Sequence, residues 1–231
     1  MGKNPYLLGT DFVMFLRALV INATGLALLF VAYRAGWVAA VLKSDTFYIS
    51  SLIAGLGLLG LGLVTYRILM TSKELNVVRK YLDLFNRAGQ EEADSWLLSV
   101  ESRVTRFIRV YRQCKAEDKP IWVDQWRRSL GSKNSMVSSV GSWLVMLGLI
   151  GTTVGIRMGV GAIDSEALLN DVLLAQLMKN VVGYLYIAFD TTIVGACCSI
   201  WLDVNLSWVL RPGTVQVENG AVEIGVLHGR T

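Results

Sequence analysis

The sequence predicts an all-α, polytopic membrane protein with four transmembrane helices and a helical cytoplasmic insertion, and three observations carry that expectation. Hydrophobic residues make up 53% of the chain and charged residues only 17%. With a mean hydropathy of +0.48, this lies outside the range of ordinary soluble domains. Four apolar stretches are long enough to cross a hydrocarbon core of about 30 Å as helices. Between the second and third of them the composition inverts, and 13 of the 22 Lys and Arg residues fall between Lys73 and Lys133, which marks that stretch as cytoplasmic by the positive-inside rule. The chain divides accordingly into a first pair of transmembrane helices (1–71), a basic helical cytoplasmic region (72–139), a second transmembrane pair (140–205) and a cytoplasmic tail (206–231).

In order along the chain, the N-terminal segment MGKNPYLLGTDF leads into an apolar run with no clean cleavage pattern, so it is expected to be retained. Tyr6 stands where a myristoylation motif needs Ser or Thr. The first span centres on Ala18 to Tyr33, with Arg17 and Arg34 able to snorkel at its ends. A short connection leads to the second, Phe47 to Tyr66, in which Gly55, Gly57, Gly60 and Gly62 permit close approach of neighbouring helices.

The basic region repeats Leu75, Val78, Leu82 and Phe85 at helical spacing, then Trp96, Leu97, Val100, Val104 and Phe107, with Ala88-Gly89 as the break. Pro120 and a turn over Gly131 to Ser135 are expected to close it. Arg103, Arg106, Arg109 and Arg112 recur every third residue as a basic stripe. Such a stripe is a solvated face paired with Glu101, Glu117 and Asp118, a contact for anionic lipids, or a docking surface for a protein partner. Nucleic acid is disfavoured, since no aromatic platform accompanies the charges.

The third and fourth spans, Val140 to Ala162 and Asn180 to Asp203, flank a short connection containing Asp164, Glu166, Asp171 and Lys179. Four crossings place both termini in the cytoplasm. In the tail, Val215 and Val217 alternate before Asn219-Gly220, and Val222 and Ile224 after it, a β-hairpin signal with disorder as the alternative. Three cysteines without a CxxC and a single histidine, His228, give no metal-ligand spacing. No catalytic triad or phosphate loop argues for an enzyme, and no cofactor is expected.

The polar residues inside the last two spans carry the functional expectation. At 1.5 Å per residue, Thr152 and Thr192 each lie about 18 Å into their helices, so antiparallel packing brings them to nearly the same depth. With Thr153 and Thr191 they form a hydroxyl layer that either back-bonds to helix carbonyls or lines an ion path. Arg157 and Asp190 are costly in lipid and are expected to pair with each other, or to form an ion or proton site.

LGLIGTTVGI (147–156) and TTIVG (191–195) resemble the two pore signatures of the MotA/TolQ/ExbB proton channel family, and two spans, a basic insertion and two further spans resemble the four-span MotA branch. The resemblance implies a multi-pass protein of the bacterial inner membrane. It also implies a homopentamer around a dimer of a single-span partner with an intramembrane Asp, in which flow of H⁺ or Na⁺ drives a stator-like motor. Thr152 and Thr192 correspond to the family's pore threonines. One departure is Ile187, where ExbB-like members carry a glutamate, with Asp190 nearer the threonine. The alternative from another class is a structural or scaffold membrane protein that recruits a partner through its basic region.

Overall fold

The computed structural model describes residues 13–45, 48–161, 163 and 171–227, and these are almost entirely helical, with no strand among them. The helices are α1 (Val13–Arg34), α2 (Trp37–Ser44), α3 (Ile49–Ala88), α4 (Gln90–Ser99), α5 (Arg103–Gln113), α6 (Lys119–Gly161), α7 (Asp171–Asn205) and α8 (Arg211–Leu227), with a π-helical turn, Leu206–Leu210, between the last two. Four stretches are long and apolar enough to cross a membrane: Val13–Arg34, Ile49–Ala88, Lys119–Gly161 and Val172–Leu227. The readings placed on residues 1–12, Phe47, Ala162, 164–170 and His228 fall outside the described residues.

Local chemistry explains most boundaries. α1 and α2 are separated at Gly36, whose φ of 78° suits a residue without Cβ. Asp45 caps α3: its Oδ1 accepts the Ser50 N–H at 3.1 Å, and its Oδ2 accepts the Ser51 N–H at 2.8 Å and the Ser51 hydroxyl at 2.7 Å. A carboxylate there satisfies orphan donors and complements the helix dipole. α3 ends at Ala88, where Gly89 turns with φ 93°, as the Ala88-Gly89 break predicts. Pro120 is the second residue of α6, where its missing N–H costs nothing.

Three expectations are corrected here. Gly131 to Ser135 is not a turn but lies within α6. Ser132 and Ser135 are accommodated by donating their hydroxyls to the carbonyls of Ser129 and Ser132, at 3.2 and 2.6 Å. Asp171 and Lys179 belong to α7 rather than to a connection. The tail is helical, not a hairpin, because Val217, Ala221 and Ile224 recur at helical spacing and are all buried. Pro212 can neither donate to a helix nor avoid crowding the Trp208 carbonyl. The wider turn just upstream, where the Arg211 N–H reaches back to the Leu206 carbonyl, is where that crowding is taken up.

The chain forms two compact units: Met1–Ile21 with Val64–Met136 and Asn205–Thr231, and Asn22–Leu63 with Val137–Val204. The first has a core of large side chains, among them Leu75, Val78, Tyr81, Leu97, Val104, Phe107, Ile108 and Ile224. Phe107 stacks on Trp126 at 4.8 Å between ring centroids. α8 closes on this core through glycines, since a Cβ on Gly220 would come within 2.3 Å of Val78, and one on Gly225 within 2.8 Å of Tyr111.

The second unit is held by small residues and polar contacts. The Trp201 indole N–H donates to Asn22 Oδ1 at 3.1 Å, and Gly25 lies against the same ring. Gly57 meets Cys198, and Gly60 meets Leu202 and Val140, whereas Gly55 and Gly62 face open space among the described residues. Two of the four glycines expected to pack thus do so here.

Candidate functional site

The helix pair α6 and α7 owes its closeness to a row that sequence reading passed over: Gly148, Gly151, Gly155 and Gly159 on α6, met by Gly195 and Ala188 on α7. A Cβ on Gly151 would fall 2.5 Å from Thr191 Oγ1, one on Gly155 2.8 Å from the Tyr184 carbonyl oxygen, and one on Gly195 2.6 Å from that of Leu144. The spacing GxxxGxxxG over 151–159 was the available signal, since small residues four apart line one helix face. Pairing of Gly141 with Ser199 and of Gly159 with Val181 makes the helices antiparallel.

This closeness joins the threonines. Thr152 and Thr192, on different helices, are in direct hydroxyl contact. Thr152 Oγ1 also lies 3.1 Å from the Gly148 carbonyl and 3.0 Å from that of Ala188. Thr192 Oγ1 lies 3.2 and 3.4 Å from the same two carbonyls. Buried Thr191 reaches them as well, at 3.4 Å from Gly148 and 3.0 Å from Ala188. Thr153 stands apart, exposed, donating to its own Leu149 carbonyl at 3.0 Å.

Proton counting defines what the cluster can do. Each hydroxyl has one proton and two lone pairs, and each carbonyl keeps one lone pair beyond its helical bond. Two of the three hydroxyl protons therefore saturate the two carbonyls, and the third must pass between Thr152 and Thr192. Both oxygens then retain unused lone pairs. Thr192 is exposed and Thr152 half-buried, so those lone pairs are accessible from outside the pair, beside the exposed apolar side chains of Leu149, Phe189 and Ile193.

Arg157 and Asp190 are not brought together. Arg157 lies between Gly155 and Gly159, which both face α7 and meet Tyr184. At 100° per residue Arg157 therefore points to the opposite side, level with about residue 184 and roughly 9 Å along the axis from Asp190. Arg157 is exposed and Asp190 half-buried. The expectation failed because matching depth was counted without the helix faces.

The basic stripe divides. Arg103, Arg106 and Arg109 are exposed, and none pairs with Glu101, Glu117 or Asp118 among the described residues. Arg112 instead turns inward to Asp94, which also accepts the Tyr81 hydroxyl at 2.8 Å. Burial, and then the Asp94 carboxylate, push the Tyr81 pKa above its ordinary range, so the phenol remains a donor. The α5 N-terminus is capped twice, by the Ser102 hydroxyl accepting from the Thr105 N–H at 3.0 Å and by Glu74 from α3. No group of three His, Cys, Asp or Glu side chains among the described residues could hold a metal ion.

No protein-family model, curated protein or solved structure matches the chain. The MotA/TolQ/ExbB resemblance therefore stands on its motif residues.

Proposed function

We propose that the chain is the ion-conducting subunit of a stator-like membrane motor driven by H⁺ or Na⁺, working as a homopentamer around a dimer of a single-span partner with an intramembrane Asp. The setting is the bacterial inner membrane, with both termini cytoplasmic. The observation that carries this reading is the Thr152–Thr192 hydroxyl contact, with lone pairs accessible beside the exposed side chains of Leu149, Phe189 and Ile193. A polar spot there is costly in lipid, and a second protein surface or a conducted ion removes that cost. The resemblance of LGLIGTTVGI and TTIVG to the family's pore signatures supports the same two threonines.

Replacing both threonines by Val keeps their shape and removes the hydroxyls. Reconstituted with its partner, the double Thr152→Val, Thr192→Val protein should assemble to wild-type mass and lose ion flux by roughly tenfold or more, the scale of one lost hydrogen-bonding contact in a low-dielectric path. Normal flux with normal assembly would defeat the reading. A specific observation favours the scaffold alternative: every threonine proton in the cluster already has an acceptor within the chain, which suits helix packing alone. In that case the double variant would lose α6–α7 stability and leave no transport defect to measure.

A further inference from the structure

Within the first compact unit, Arg67, Glu74, Arg103, Leu130, Asn134 and Thr214 help line a shallow open cleft. We propose that this cleft binds the phosphate of an anionic phospholipid headgroup through Arg67 and Arg103. The proposal rests on the membrane reading of the four apolar helices, not on the ion path.

Level comes first. Arg67 directly follows the apolar run Ile49 to Tyr66 on the unbroken helix α3, which sets it at the edge of the hydrocarbon. Glu74 lies seven residues further along, roughly 10 Å at helical rise. Its two carboxylate oxygens accept the N–H groups of Arg103 and Val104 at 3.1 Å each, fixing Arg103 at that level. The headgroup layer is about 5–7 Å deep on each side of the hydrocarbon core. Arg67 and Arg103 therefore bracket it, one from the apolar edge and one from the aqueous edge.

Chemistry comes second. Neither guanidinium forms an ion pair among the described residues, and the one carboxylate in the cleft, Glu74, is already engaged by two backbone donors. The cleft thus carries two cations against one anion. Asn134 donates to Thr214 Oγ1 at 3.2 Å, and Thr214 donates to the Leu210 carbonyl at 2.8 Å. The second Asn134 N–H remains for a ligand. Arginine forks match phosphate oxygens in pairs, while Leu130 and Val217 supply an apolar wall. Arg103 is the first residue of α5, where the helix dipole disfavours a cation.

The test uses the full chain extracted in neutral detergent, with thermal unfolding followed as phosphatidylglycerol, phosphatidylcholine or inorganic phosphate is added. Phosphatidylglycerol at a hundredfold excess over half-saturation should raise the midpoint by about 5 °C, and the other two should not. Arg67→Gln with Arg103→Gln should abolish the shift, whereas Arg106→Gln with Arg109→Gln, outside the cleft, should preserve it. Should the first double variant fold poorly, Arg103→Gln alone, an exposed site, should weaken half-saturation roughly tenfold, as loss of a charge-assisted contact does. An equal shift with phosphatidylcholine, the same shift with inorganic phosphate, or equal loss in the Arg106/Arg109 variant would overturn the proposal. Release of the chain from membranes by alkali would instead defeat the membrane reading beneath it.

Discussion

Where α3, α4 and α5 meet around Tyr81, Leu97 and Ile108, contact is made by large side chains; where α6 and α7 meet, it is made by glycine, alanine and threonine. The first arrangement buries large apolar side chains against one another, the kind of adhesion that stabilises folds in water. The second gains little that way, and it leaves Leu28, Phe30, Leu58, Leu149 and Phe189 exposed around it. Close backbone approach and hydroxyl-to-carbonyl bonds take over, as they do between helices in lipid, where a leucine has nothing to gain by leaving its solvent. The difference teaches that one chain can encode two kinds of adhesion. It also ties the threonine contact to the glycine row, because without Gly148, Gly151 and Gly155 the hydroxyls of α6 and α7 would not touch.

Three substitutions probe this contrast, in falling order of effect. Leu97→Ala should destabilise the first unit by about 2–5 kcal/mol, the usual cost of a buried cavity. Denaturant unfolding read by tryptophan fluorescence would show it, and a loss below about 1 kcal/mol would mean that this core is not close-packed. Gly155→Val should cost about 1–3 kcal/mol by overpacking, since the first added carbon already meets the Tyr184 carbonyl oxygen at 2.8 Å. A disulfide trap between introduced cysteines on α6 and α7 would lose efficiency, and unchanged trapping would refute the backbone-contact account. Gly62→Ala faces open space in the chain and should change the stability of a single copy by less than about 1 kcal/mol, with the sign favouring Ala through helix propensity. If it instead disrupts an assembled complex measured by native mass, that glycine faces a neighbouring copy.

Much of this was legible in the residues. The apolar stretches found their helices, Ala88-Gly89 found its break, and helical rise alone brought Thr152 level with Thr192. What failed did so for identifiable reasons. Val215, Val217, Val222 and Ile224 alternate as a strand would, yet Gly213, Val217, Gly220, Ala221 and Ile224 also lie at helical spacing. Glycine carries no hydrophobic signal, so only the alternation was visible. The same blindness hid Gly151, Gly155 and Gly159. The pairing of Arg157 with Asp190 was drawn from depth, a one-dimensional quantity, when contact also requires a shared face. Glu74 and Asp94 act on α5 from other elements, and no spacing rule within one helix could have linked them to it.

The wide turn at Leu206–Leu210 has a consequence for how the chain tolerates insertions and deletions. It absorbs one residue more than a regular helix needs, so the periodicity counted along α7 is one step out of phase with that along α8. Were the turn to tighten with every residue kept, α8 would rotate by about 100°, and Gln216, Asn219 and Glu223 would arrive where Val217, Gly220 and Ile224 now sit in the core. Loss of a single residue inside the turn would instead restore regular helix and leave that apolar face where it is. The five residues from Leu206 to Leu210 are therefore a phase adjuster: a one-residue deletion is silent for the core of α8 there, and scrambles it a few positions further on.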